Sequence, residues 1–222
     1  MSRQLAAEFV GTFFLVLLGP GAVMVEAASP GSLGPVGVAL AFAFAVTAMV
    51  YVLSPVSGAH INPAVSLTAW ARGRLSGGLA LSYVIAQCAG ATTASFLSWL
   101  TLGSVGSVGA TVPTIPVASA FGAEWLLSFL LMLVIAETGR AESSSRASSA
   151  IAIGLTVGCC ALVGGPLTGA SMNPARSLGP AVVSGVWTRH WVYWLGPIFG
   201  MLSAARLSQF LHSRTTIEPA GR

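Results

Sequence analysis

The sequence predicts an all-α membrane protein: six transmembrane helices plus two re-entrant half-helices, arranged as an inverted repeat. Three observations predict it. Of the 222 residues, 55% are hydrophobic and only 7% charged, against roughly 25% charged in a soluble domain, so most of the surface is not built to face water. The apolar residues fall into six stretches, each about long enough to cross a hydrocarbon layer of roughly 30 Å. A pattern centred on Asn-Pro-Ala occurs twice, 111 positions apart.

The spans are expected at about Leu5 to Val25, Val36 to Leu53, Leu79 to Leu102, Ala120 to Ala136, Ala150 to Gly164 and His190 to Leu211. The second and fifth are short unless their ends borrow from the loops. Between the second and third lies Ser57-Gly-Ala-His-Ile-Asn-Pro-Ala-Val-Ser-Leu67, and between the fifth and sixth Thr168-Gly-Ala-Ser-Met-Asn-Pro-Ala-Arg-Ser-Leu178. Each is too apolar for an exposed loop and too short to span. Asn62 and Asn173 suit a helix N-cap, and Pro63 and Pro174 suit the first turn, where no intrahelical N–H is required. Ala64 and Ala175 then open a half-helix. Irregular backbone at membrane depth survives only when buried in protein or lining a wet cavity, so each segment is expected to fold back as a loop and a half-helix.

The two halves are duplicates. Besides the motifs, Ala7-Glu8-Phe9 resembles Ala123-Glu124-Trp125, and Tyr83 and Gly90 match Tyr193 and Gly200. The repeats are expected at 5–102 and 120–211, with 103–119 as an external linker and 212–222 as a cytoplasmic tail. Three spans per half turn the second half upside down, an architecture whose sites lie near the midplane at the repeat interface. The half-helices therefore enter from opposite faces and meet at their N-termini.

Charge sets orientation and excludes partners. All ten basic residues are Arg and all six acids Glu, for a net +4. The Arg residues lie scattered at segment ends rather than in a run, which fits topology-setting charge and not nucleic-acid binding. The connections near Ser29 to Pro35 and Gly103 to Ser119 hold no basic residue, so both termini are expected in the cytoplasm. Cys88, Cys159 and Cys160 have neither metal-site nor disulfide spacing and read as buried small hydrophobes. His60, His190 and His212 lie in different segments and are expected to have no acidic companions. No catalytic constellation, metal site or cofactor is expected.

Six spans, inverted halves and paired Asn-Pro-Ala motifs resemble the major intrinsic proteins, the aquaporin and glycerol-facilitator family, over about residues 5 to 211. The resemblance implies a passive plasma-membrane channel for water that excludes ions and protons, assembled as a homotetramer in the lipid bilayer. Two half-helix N-termini, each worth roughly half a positive charge, would face one point in the pore. The side chains of Asn62 and Asn173 would cap their helices through oxygen, leaving the amide nitrogens free for a passing water. By resemblance, backbone of Gly58, Ala59 and His60 on the inner side, and of Gly169, Ala170 and Ser171 on the outer side, lines the path. His60 is either a pore-lining donor or a loop-packing group. Glu8 and Glu124 would hold the re-entrant loops, and Gln87 would be a further buried polar support.

The outer constriction would comprise Phe42, Ala161, Ala170 and Arg176. An Arg at membrane depth costs at least a few kcal/mol and normally faces a pore or a partner. Ala161 stands where many water-specific members carry His, which widens the filter toward glycerol, urea, ammonia or metalloid acids. Ser177, Ala181 and the Tyr193-Trp194 pair fit the water-channel pattern instead. Water first, with small neutral solutes besides, is the expectation. The alternative is a structural or adhesive membrane protein on the same scaffold with little permeability.

Overall fold

The computed structural model describes residues 1–140 and 145–213. Glu142 and the tail from residue 214 onward, including Arg214, Glu218 and Arg222, lie outside the described residues. The described chain forms α1 (Ser2–Ala28), α2 (Gly34–Ser57), α3 (Pro63–Ala71), α4 (Gly77–Leu102), α5 (Val117–Thr138), α6 (Arg146–Thr168), α7 (Pro174–Ser184) and α8 (Val192–Leu211). Between α4 and α5, a tight turn at Val105–Gly109 carries three successive left-handed residues, Gly106, Ser107 and Val108.

Helices α1, α2, α4, α5 and α6 are long and apolar enough to cross a membrane by length and composition. Helix α8 is somewhat shorter at 20 residues, still about long enough to span, but Ser203, Arg206, Ser208 and Gln209 make its last turns more polar. Large apolar side chains such as Phe44, Leu81, Ile85, Leu126 and Val163 point outward, the pattern of a multi-pass protein whose solvent is lipid.

Five of the six long helices outrun their expected spans, α2 and α6 toward the motifs, while α8 starts two residues later than expected, at Val192. The second and fifth spans run on to Ser57 and Thr168, through Pro55 and Pro166. Each proline deletes one backbone bond but does not end its helix. The end comes at the left-handed Gly58 (φ 87°) and Gly169 (φ 86°), the residue type that closes helices without a Cβ penalty. The cysteine expectation is corrected in part: Cys160 is buried, Cys88 is half-buried and Cys159 is exposed. Successive residues on a helix point about 100° apart, so Cys159 and Cys160 face different surroundings.

Packing repeats across the halves. Helix α1 lies along α4 as α5 lies along α8, and α2 packs on α6 to join the halves. The half-helices interlock them further: α3 touches α4 and α8, while α7 touches α4 and α1. Gly90 and Gly200 permit the close pairs, since a Cβ on either would run into the carbonyl of Phe9 or Trp125. Backbone cannot swing aside as a side chain does. Gly200→Ala is therefore expected to cost about 1–3 kcal/mol. The readout is a lower thermal-unfolding midpoint in detergent, with Gly122→Ala on α5, where an added Cβ meets open space, unchanged.

Candidate functional site

Helices α3 and α7 meet at their N-termini through reciprocal bonds. Asn62 caps α3, its Oδ1 accepting from Ala64 N at 2.9 Å. Asn173 caps α7, its Oδ1 accepting from Ala175 N at 3.0 Å and Arg176 N at 3.3 Å. Each amide also donates across the junction: Asn62 Nδ2 to Met172 O and Asn173 Nδ2 to Ile61 O, both at 2.8 Å. This corrects the expectation from sequence that the amide nitrogens are free: both are engaged across the junction. One of each pair of hydrogens ties the two loops together, and the second remains for the lumen.

The loops before the motifs are strained in matching places. Ala59 and Ile61, and their counterparts Ala170 and Met172, all have φ between 43° and 52°, a region that costs a non-glycine residue roughly 1–2 kcal/mol. Two buried carboxylates hold them there. Glu8 accepts from His60 N (2.9 Å), Ile61 N (2.6 Å), Ser57 Oγ (2.6 Å) and Gln87 Nε2 (2.7 Å). Glu124 accepts from Ser171 N (2.9 Å), Met172 N (2.8 Å) and Thr168 Oγ1 (2.6 Å). Tyr83 and Tyr193 add hydroxyl bonds to the carbonyls of Ser57 and Thr168, at 3.0 and 2.7 Å.

The symmetry fails one layer further out. Ser66 Oγ lies 3.0 Å from His60 Nδ1 and accepts from Gln87 Nε2 at 2.9 Å. Its counterpart Ser177 lies 2.6 Å from Ser171 Oγ. The position matching Gln87 is Pro197, which offers no donor. Thr111 from the linker fills the role, donating to Ser177 Oγ at 2.8 Å.

A cavity of about 300 Å³ runs past this junction. It is lined by Asn62 and Asn173 at the junction, by Arg176 in the first turn of α7 with Phe42, Ala161 and Ala170, and by Arg72 and Arg74 at the far end of α3. Between them it is lined largely by apolar side chains such as Leu15, Val46, Val65 and Met132, with Gly58, Ala59, His60 and Ser171 also on the wall. Arg176 is 3% exposed, so its guanidinium is held almost wholly by protein. Its Nη1 donates to Gly109 O at 2.9 Å and its Nη2 to Gly169 O at 3.4 Å. The Phe42 ring lies 5.1 Å from its Cζ, a favourable cation–π distance. Arg176 Nε has no partner among the described residues.

Of the residues singled out in sequence, Pro63, Ala64, Pro174 and Ala175 build the half-helices without reaching the cavity wall, and Glu8 and Glu124 sit behind the loops. Gly169 does not line the cavity; its carbonyl turns to Arg176 instead. One expectation is corrected: His212 has an acidic companion, Glu137 Oε2 at 2.6 Å, because α5 and α8 end side by side. The pair lies outside the cavity lining. Sequence reasoning missed Gly109, Thr111, Arg72 and Arg74. Only the Pro197 mismatch could have signalled Thr111, since it leaves Ser177 lacking a donor.

The arrangement offers hydrogen-bond donors at the junction (Asn62, Asn173) and from Arg176, Arg72 and Arg74, on an otherwise largely apolar wall. Such donors match the oxygen atoms of neutral molecules, and a guanidinium charge opposes cations. A model of the major intrinsic protein family matches residues 1–207. The chain is 42% identical to aquaporin NIP1-4 of Oryza sativa subsp. japonica, over 91% of this chain and 74% of that one. It is 39% identical to aquaporin NIP1-1 of Zea mays, over 91% and 72%, and 40% identical to probable aquaporin TIP3-2 of Arabidopsis thaliana, over 98% and 86%. The X-ray structure of the aquaglyceroporin from Plasmodium falciparum superposes with a TM-score of 0.80 at 24% identity, covering 94% of each chain.

Proposed function

The chain belongs to the major intrinsic protein family, and on that premise we propose that its cavity is the lumen of a passive channel carrying water and small neutral solutes. Members of this family are channels and not enzymes. The observation that carries the reading is the continuous cavity from Arg176 to Arg72 and Arg74 past the paired asparagines. Water crossing the midpoint turns its oxygen toward the second amide hydrogens of Asn62 and Asn173 and toward the half-helix N-termini. That orientation, with the field of about half a positive charge from each helix, opposes the passage of cations and protons.

The filter is Arg176, Phe42, Ala161 and Ala170. Two alanines leave room beside the guanidinium, so solutes wider than water, glycerol and urea among them, pass as well. Gly58, Ala59, His60 and Ser171 line the path on either side, and Gly169 positions Arg176. Glu8 and Glu124 are loop supports. Orientation follows the charges: the end with Arg72 and Arg74 is cytoplasmic, as are both termini, and 103–119 is the external connection between repeats 5–102 and 120–211. A homotetramer in the plasma membrane completes the reading.

Stopped-flow light scattering on proteoliposomes tests it. Osmotic permeability well above that of empty liposomes is expected, with glycerol and urea uptake also above background. Water permeability at background in correctly folded protein would favour a structural or adhesive role. Solute uptake at background with fast water would leave a water channel and end the wide-filter idea. Ala161→His is expected to lower glycerol flux by about tenfold or more, since one added group in a tight pocket discriminates on that scale, while lowering water flux less.

A further inference from the structure

We infer that Gly19, which lines no part of the cavity, is a positioning residue that sets the width of the outer filter by leaving room for the Phe42 ring. The inference rests on the filter proposed above. Gly19 is buried in α1. A Cβ built there would sit 2.7 Å from Phe42 Cζ and closer still to Cε1 and Cδ1. Real Cβ contacts do not occur at such distances, so Phe42 lies against α1 only because position 19 has no side chain.

The next residue braces the other wall. Gly109 is so close to Pro20 that an added Cβ would lie 2.7 Å from Pro20 Cβ and from its carbonyl oxygen. Gly109 is also the residue whose carbonyl receives Arg176 Nη1. One turn of α1 therefore backs both the aromatic and the cationic sides of the filter, on residues that no solute touches.

Displacement at Gly19 has a defined direction. Helix α1 blocks the ring from behind, whereas the lumen beside Phe42 is open. A methyl at position 19 drives the ring into the lumen and toward the guanidinium. The filter narrows, and wider solutes lose more than water. Phe42 is the atom group that moves, so its truncation removes the effect.

The test measures water, glycerol and urea permeability in proteoliposomes for the unsubstituted chain, Gly19→Ala, Phe42→Ala and the double variant. Gly21→Ala, where an added Cβ meets open space on the same helix, controls for helix propensity. Gly19→Ala is expected to lower the glycerol-to-water ratio by about tenfold, and Gly21→Ala to leave it unchanged. The double variant is expected to match Phe42→Ala alone, the non-additivity of two groups acting at one contact. Equal loss of water and glycerol in Gly19→Ala, unrelieved by Phe42→Ala, would mean a helix-packing defect and would overturn the inference. An unchanged ratio in Gly19→Ala would do the same. If Phe42→Ala alone leaves every rate as it was, the filter reading fails first and the inference falls with it.

Discussion

Replacing Glu124 with Ala is expected to abolish most of the water permeability and to lower the thermal stability of the detergent-solubilised protein by more than any other single carboxylate change except the same change at Glu8. The carboxylate accepts three donors: the N–H groups of Ser171 and Met172 and the Thr168 hydroxyl. Alanine leaves the two N–H groups without an acceptor beside a largely apolar lumen, and the Thr168 hydroxyl with only the long bond to Gly164 O at 3.4 Å. Each unsatisfied buried group costs about 1–3 kcal/mol, and the left-handed Ala170 and Met172 lose the contact that offsets their strain. The loop then relaxes, which moves Asn173 and Arg176 together. Glu124→Gln is expected to be milder but still impaired. Its oxygen replaces one acceptor, while its NH₂ faces a donor. The measurements are osmotic permeability per reconstituted chain and the unfolding midpoint. Near-normal permeability in Glu124→Ala would show that the loop holds its shape without the carboxylate.

The loop supports were legible because they are duplicated: Glu8 and Glu124 fall at matching places before matching motifs. The half-helices were legible for the same reason, since Asn-Pro reads as a cap and a first turn wherever it stands. What the sequence concealed lies mostly where the repeat breaks. Residues 103–119 read as a Gly, Ser and Thr connection, yet Gly109 holds Arg176 and Thr111 holds Ser177. Their roles come from a turn that puts Ser107 and Val108 in the left-handed region. No local preference of a β-branched residue predicts that conformation; packing against α1 imposes it. Helices α2 and α6 run past the expected Leu53 and Gly164 because Pro55 and Pro166 do not stop them; the glycines at 58 and 169 do. The cross-junction bonds of Asn62 and Asn173 depend on how closely two loops approach, a distance that neither loop encodes alone.

Arg176→Val should produce the largest gain of permeability. It places at position 176 the residue that the first repeat carries at the equivalent Val65. The valine side chain is shorter than that of Arg and has no donors, so it vacates the space beside Phe42 and leaves the carbonyls of Gly109 and Gly169 without their present partner. Glycerol and urea flux are expected to rise several-fold, and water flux to change little, because water already fits. The charge matters separately from the space. A unit charge about 5 Å from a passing cation contributes roughly 3 kcal/mol at an effective dielectric constant of 20, equivalent to about a hundredfold in cation occupancy at that point. Proton flux, followed with a pH-sensitive dye in proteoliposomes under an imposed potential, should therefore become measurable. It should remain far below that of an open ion pore, because the two half-helix N-termini still meet at Asn62 and Asn173 and keep their positive potential. Arg176→Lys separates the two contributions. It keeps the charge and loses the two-point anchoring, so proton exclusion should survive while the selectivity among neutral solutes loosens. If Arg176→Val leaves both proton and glycerol flux as they were, the guanidinium is not the constriction, and the selective point lies nearer the asparagines.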